Sequence, residues 1–133
     1  MYLGELNATQ KDCFLDLGIR LAATDGDFSE TEKEAIYLLC DEMSIADRYD
    51  EEASPEEAIR FFASETDRRV QRIVVFELLG ISLADNVYHD RKQELIAEAA
   101  KAFSIGDDEI KEISDAVVQL YGLSLKFNHF VNS

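Results

Sequence analysis

Four oxygen-bearing side chains, Asp25, Asp27, Ser29 and Glu32, fall close together in the run Thr24-Asp25-Gly26-Asp27-Phe28-Ser29-Glu30-Thr31-Glu32. Asp25, Asp27 and Ser29 alternate along one turn, and Glu32 follows one helical turn beyond Ser29. A hard divalent cation needs such converging oxygens. A second acidic turn, Asp85-Asn86-Val87-Tyr88-His89-Asp90, adds Asp85 and His89. The candidate ligands are therefore Asp25, Asp27, Ser29, Glu32, Asp85 and His89, and the candidate ions are calcium, magnesium, manganese and zinc. An EF-hand is excluded. With Asp25 as first ligand, Glu30 stands where that loop needs glycine and Ile36 where it needs a bidentate glutamate. The same residues also have a purely structural use, in which Asp25 and Gly26 end one helix while Ser29 and Glu32 cap the next. Both uses stay open at this level.

Other chemistries have less behind them. His89 and His129 are the two histidines, too few for a three-histidine zinc site. No glycine-rich phosphate loop, Gly-x-Ser-x-Gly elbow or Cys-His signature occurs, so nucleophilic and phosphoryl-transfer catalysis have no specific support. Cys13 and Cys40 form no Cys-x-x-Cys pair and read as reduced core residues, although helices folding back at the first acidic turn would bring them towards each other. Arg68, Arg69 and Arg72 are the basic cluster, and pairing with Glu65 or neighbouring acids suits them better than anion binding.

The 133 residues carry 28 Asp plus Glu against 13 Lys plus Arg, a formal charge of -15. That charge repels nucleic-acid backbones and anionic membrane surfaces and favours cations and basic partners. A length of 133 residues, 47% of them hydrophobic, suits one domain with one core. The start of the chain has no basic stretch leading into a long apolar run, and nowhere is an apolar run long enough to span a bilayer. The expectation is a cytoplasmic protein without membrane insertion.

Helical spacing organises the elements that hold the turns. Thr9 is the expected cap of a helix to about residue 24, burying Phe14, Leu17, Leu21 and Ala22. Ser29 and Glu32 make a capping-box pattern for a helix over 30–43 that buries Ile36, Leu39, Cys40 and Met43. Residues 44–53 are polar and read as a loop. Ser54-Pro55-Glu56-Glu57 restarts the chain as a short helix to about residue 63. From 67 to 84 the residues are apolar on nearly every side, as in the middle helix of a bundle. Glu77 within it belongs at a helix edge or beside a base such as Arg72 or Arg60. A helix over 90–103 follows, then a pause at Ser104-Ile105-Gly106. A last helix keeps Ile110, Ile113, Val117, Leu120 and Tyr121 at helical spacing, and its tail to Phe130 either docks or frays.

At an offset of sixty, Asp25 matches Asp85, Phe28 matches Tyr88, Glu34 matches Glu94, Ile36 matches Ile96, and Met43-Ser44-Ile45 matches Phe103-Ser104-Ile105. One register over that length is a duplication signal. The expected architecture is an all-α single domain over 1–133, with about six or seven helices built on two related helical hairpins.

The run Asp25-Gly26-Asp27-Phe28-Ser29-Glu30-Thr31-Glu32, preceded by Leu21-Ala22-Ala23 and echoed at Asp85, resembles the signature of the TerB-like family. This is the tellurite-resistance domain, which is also similar to the N-terminal domain of DjlA-type co-chaperones. The likeness extends over nearly the whole chain. It implies a helical fold with an internal repeat, an association with stress responses, and a divalent-metal site at the acidic Asp-Gly turn. By position the implied residues are Asp25, Gly26, Ser29 and Glu32 in the first copy, and Asp85 and His89 in the second. The second copy departs from the pattern, with Asn86 in place of the glycine and Lys92 in place of the glutamate.

The preferred reading is a non-enzymatic helical module that binds a protein partner, with the acidic turn taking up a cation. Such a module needs an exposed apolar patch, for which Phe127, Phe130 and Val131 are the candidates. The alternative is a small metal-dependent enzyme using the Asp25 to Glu32 cluster, which would also need an acid or base and an open metal position.

Overall fold

Asn7, rather than Thr9, starts the first helix. Its side chain accepts from the Gln10 amide at 2.8 Å, and the Gln10 side chain returns to the Asn7 amide at 3.0 Å. This reciprocal box outcompetes Thr9 because it satisfies two otherwise unpaired amides with one pair of side chains. The computed structural model describes residues 1–23, 29–84 and 90–133, apart from the side chains at 83, 84, 90 and 91. The described residues form six α-helices and no strand: α1 Ala8–Ala22, α2 Glu30–Met43, α3 Pro55–Glu65, α4 Arg68–Ala84, α5 Asp90–Ala102 and α6 Asp107–Asn132. A short 3₁₀ turn, Leu3–Glu5, precedes them.

Local sequence accounts for most boundaries. Ser29 and Glu32 cap α2 reciprocally, and Ser54 accepts from the Glu57 amide at 3.1 Å ahead of Pro55 in the first helical position. Asp67 accepts from the Val70 amide at 2.9 Å and starts α4. Helix α2 ends at Ser44 (φ 56°) and α5 at Ser104 (φ 56°), both left-handed. The Ile45 amide bonds back to the Cys40 carbonyl, and the Ile105 amide to the Ala100 carbonyl. These bonds satisfy carbonyls that the helix ends would otherwise leave unpaired.

Two helices share the centre, where the apolar pattern indicates one. Helix α1 packs on α2, α3 and α4, while α4 packs on α1, α5 and α6. Leu15 and Ile19 of α1 are buried along with the expected Phe14, Leu17, Leu21 and Ala22. Gly18 lets α2 approach: a Cβ there would stand 3.0 Å from the Leu39 side chain. Polar side chains inside α4 are satisfied locally. Gln71 donates to the Phe62 and Thr66 carbonyls at the end of α3, and Ser82 donates to the Leu78 carbonyl.

Glu77 pairs with neither Arg72 nor Arg60. Its carboxylate accepts from the Met1 ammonium at 3.0 Å and the Tyr2 amide at 2.8 Å, while Glu42 of α2 takes the same ammonium at 2.8 Å. The first residues thus clasp α2 to α4. Arg72 reaches across to Glu109 of α6 at 2.7 Å, Arg68 is 3.5 Å from that carboxylate, and Arg69 pairs with Glu5 at 2.8 Å. The acids that answer the arginine cluster are Glu5 of the opening 3₁₀ turn and Glu109 in the first turn of α6, rather than Glu65. Arg68 also donates to the carbonyls of Phe103 and Ser104, closing the α5–α6 turn.

Candidate functional site

Of the six candidate metal ligands, Asp25, Asp27, Asp85 and His89 lie outside the described residues, as does Gly26. Ser29 and Glu32 are described, and both serve the α2 cap. Ser29 Oγ accepts from the Glu32 amide at 3.1 Å, and Glu32 Oε1 accepts from the Ser29 amide at 3.4 Å. Among the described residues no three His, Cys, Asp or Glu side chains converge as a metal site would require. Lys92, which stands where the resemblance would put a glutamate, is buried. Cys13 and Cys40 are free thiols, the first half-buried and the second buried. Burial raises the Cys13 pKa above the ordinary thiol value, and the nearby Asp16 and Asp12 carboxylates push it the same way.

Beside the α2 cap the bundle leaves a groove of about 420 Å³. Its floor is α4, through Phe76, Gly80 and Ile81. Helix α2 makes one wall with Ala35 and Leu38, and α6 makes the other with Leu120 and Tyr121. Packing explains the slot. Helix α2 lies against α1 and α6 lies against α4, so the two walls are held by different central helices. Gly80 widens the floor, since a Cβ there would meet nothing within 4 Å. Leu38 is 56% exposed, an apolar side chain standing in water on the groove wall. Glu32 belongs to both features, capping α2 and lining the groove.

The apolar wall continues past the groove. Helix α6 runs unbroken to Asn132, so the tail neither frays nor folds back. Phe127, Phe130 and Val131 are 62, 71 and 81% exposed, matching the patch expected of them. Leu120 and Tyr121, which keep the helical spacing of Ile110, Ile113 and Val117, are only partly covered, because the body under α6 ends near Val117.

One constellation was invisible in the sequence. Asp16, 3% exposed, lies inside the apolar run of α1 and accepts from Arg48 at 2.6 Å and from the loop amides of Glu52 and Ala53 at 2.9 and 3.3 Å. Arg48 also donates to the carbonyls of Asp12 and Asp50. Burial opposes the Arg48 charge, but the hydrogen bond to Asp16 and the surrounding carboxylates outweigh it and raise the guanidinium's pKa. Arg20 fixes the same loop through a two-pronged pair with Glu51 at 2.6 and 2.9 Å. The buried polar atoms of this cluster all have hydrogen-bond partners. Its evident work is to hold residues 44–54 against α1.

Comparison of the chain with family models, with curated proteins and with solved structures finds no match. Among the described residues no helix is long and apolar enough to cross a membrane.

Proposed function

We propose that this chain is a non-enzymatic, TerB-like helical module of the cytoplasm, tied to a stress response. It docks a protein partner in the groove between α2 and α6. The observation that carries the reading is the groove itself, an apolar slot walled by two helices, with Leu38 on one wall and the exposed stripe of α6 on the other. Amphipathic helices bind such slots by seating side chains spaced three and four residues apart. The polar groups at its rim, Glu32 and Glu77, are already committed to backbone amides and the chain's own ammonium, which suits binding better than proton transfer.

The acidic turn enters through Glu32. A divalent cation held by Asp25, Asp27, Ser29 and Glu32, with Asp85 and His89 from the second acidic turn, would draw Glu32 away from its cap and stiffen the α2 wall. The TerB-like likeness supports this, as do the oxygen donors alternating along the turn. The two-hairpin origin of the fold is part of the same reading. Helices α1 and α4 begin sixty residues apart, α2 and α5 likewise, and the Asn7–Gln10 and Ser44 caps have counterparts at Asp67–Val70 and Ser104.

Amide NMR on chelator-stripped protein, titrated separately with calcium, magnesium, manganese and zinc, tests the metal-linked groove. The expected result is a set of shifts confined to residues 24–33 and 84–91 and to the α2 wall at Ala35 and Leu38, abolished by Asp25→Asn. Weak shifts spread over the whole acidic surface would leave the turn a helix cap and remove the metal from the function.

A further inference from the structure

Helix α6 is longer than the body it packs on. Ile110, Ile113 and Val117 face the core. Leu120, Ser124, Phe127 and Val131 then continue the same alternation of three and four residues along the projecting half. This is a heptad seam, which in two-helix packing is covered by another helix. All 28 acidic residues of the chain precede residue 116, and from there to Ser133 the charged side chain is Lys126, with His129 beside it. On the projecting half Phe127 and Val131 lie along that seam, with Phe130 and Leu123 beside it, and all four are exposed.

We propose that a second copy of this chain covers the stripe. The α6 helices of two copies pair antiparallel about a two-fold axis near Gly122, and each projecting half lies in the groove of the other. The proposal rests on the docking reading above and names its partner. Three observations favour a copy over another occupant.

The seam is self-complementary when reversed about residue 122. Leu120 of one copy then meets Ser124 of the other, large against small, and Phe127 comes level with Val117, which lines the groove but is itself buried. Charge selects the same arrangement. Two bodies this acidic repel each other, but the reciprocal arrangement sets an acid-free, weakly basic tail against the acidic body of its partner. Antiparallel pairing also opposes the two helix dipoles. Finally, the groove volume of about 420 Å³ suits a few side chains from one helix face, and Phe127 and Val131 sit one turn apart on that face.

Sedimentation equilibrium on the full chain, at rising concentration and in low and physiological salt, tests the proposal. The expected species has twice the 15.1 kDa chain mass. Phe127→Glu on the tail and Leu38→Glu on the groove wall should each weaken dimerisation by about thirtyfold or more, as loss of a central anchor does. Both positions are exposed, so the variants keep the wild-type helical circular dichroism. A wild-type chain that stays at 15.1 kDa overturns the proposal, as does a dimer indifferent to both substitutions. A synthetic peptide of residues 116–133, added to a monomeric wild-type chain, separates the two readings. Saturable binding lost in Leu38→Glu keeps the groove as a docking site while ending the dimer. A monomer that instead sediments with phosphatidylcholine–phosphatidylglycerol vesicles overturns it in favour of lipid.

Discussion

Asp16 holds one guanidinium and two backbone amides in a nearly dry site, so removing its carboxylate leaves three donors without their acceptor. Truncating one member of a buried ion pair costs roughly 3 kcal/mol or more. We expect Asp16→Ala to lose about that much in urea unfolding, while Asp16→Asn, which keeps one acceptor, loses less. Thiol chemistry gives a second check. The raised Cys13 pKa keeps the sulfur protonated at neutral pH, so alkylation should be slow there and should accelerate only above the ordinary thiol range. Cys40 should react only when the protein unfolds, and equal rates for the two thiols in native protein would contradict the packing. At this scale residue types were legible and their partners were not. Glu77 could be marked as a carboxylate needing a cation, but the cation is the Met1 ammonium, 76 residues away. Asp16 between Leu15 and Leu17 gives no sign that a loop 32 to 37 residues later answers it.

Helix ends were the most readable feature, because a cap is decided within four residues. The Ser29–Glu32 box and the Ser54-Pro55 start stand where the sequence puts them. Thr9 failed as a cap for an equally local reason, since Asn7 and Gln10 form a better pair two residues earlier. Ser29→Ala should cost about 1 kcal/mol in thermal or chemical unfolding. The two left-handed serines make a prediction of opposite sign. Glycine has no Cβ to strain at a positive φ, so Ser44→Gly and Ser104→Gly should each stabilise by roughly 0.5–1 kcal/mol, read as a higher urea midpoint with an unchanged slope. The centrality of α1 was harder to see. Its pattern reads as one apolar face because Asp16 and Gly18 interrupt it, yet the first is satisfied by the loop and the second makes room for Leu39.

For the whole molecule, composition and helical spacing were enough for an all-α chain, but the groove depends on which helices pack on which. No periodicity reports that α2 is held by α1 and α6 by α4. The exposed tail aromatics were legible as a patch, whereas the length by which α6 outruns the body appears only once the bundle is assembled. The pinned loop over 44–54 has a consequence for the timing of solvent access. Irregular segments ordinarily exchange their amide hydrogens through small local openings. Here the Glu52 and Ala53 amides end on a carboxylate buried in the central helix, and Arg20 and Arg48 bolt the same stretch at two further points. Those amides can reach deuterated water only when the loop lifts away from α1. In wild-type protein they should therefore exchange as slowly as the core amides of α1 and α4, and in Asp16→Asn they should exchange early while the helices stay protected. A connecting segment of this kind keeps the clock of the whole fold.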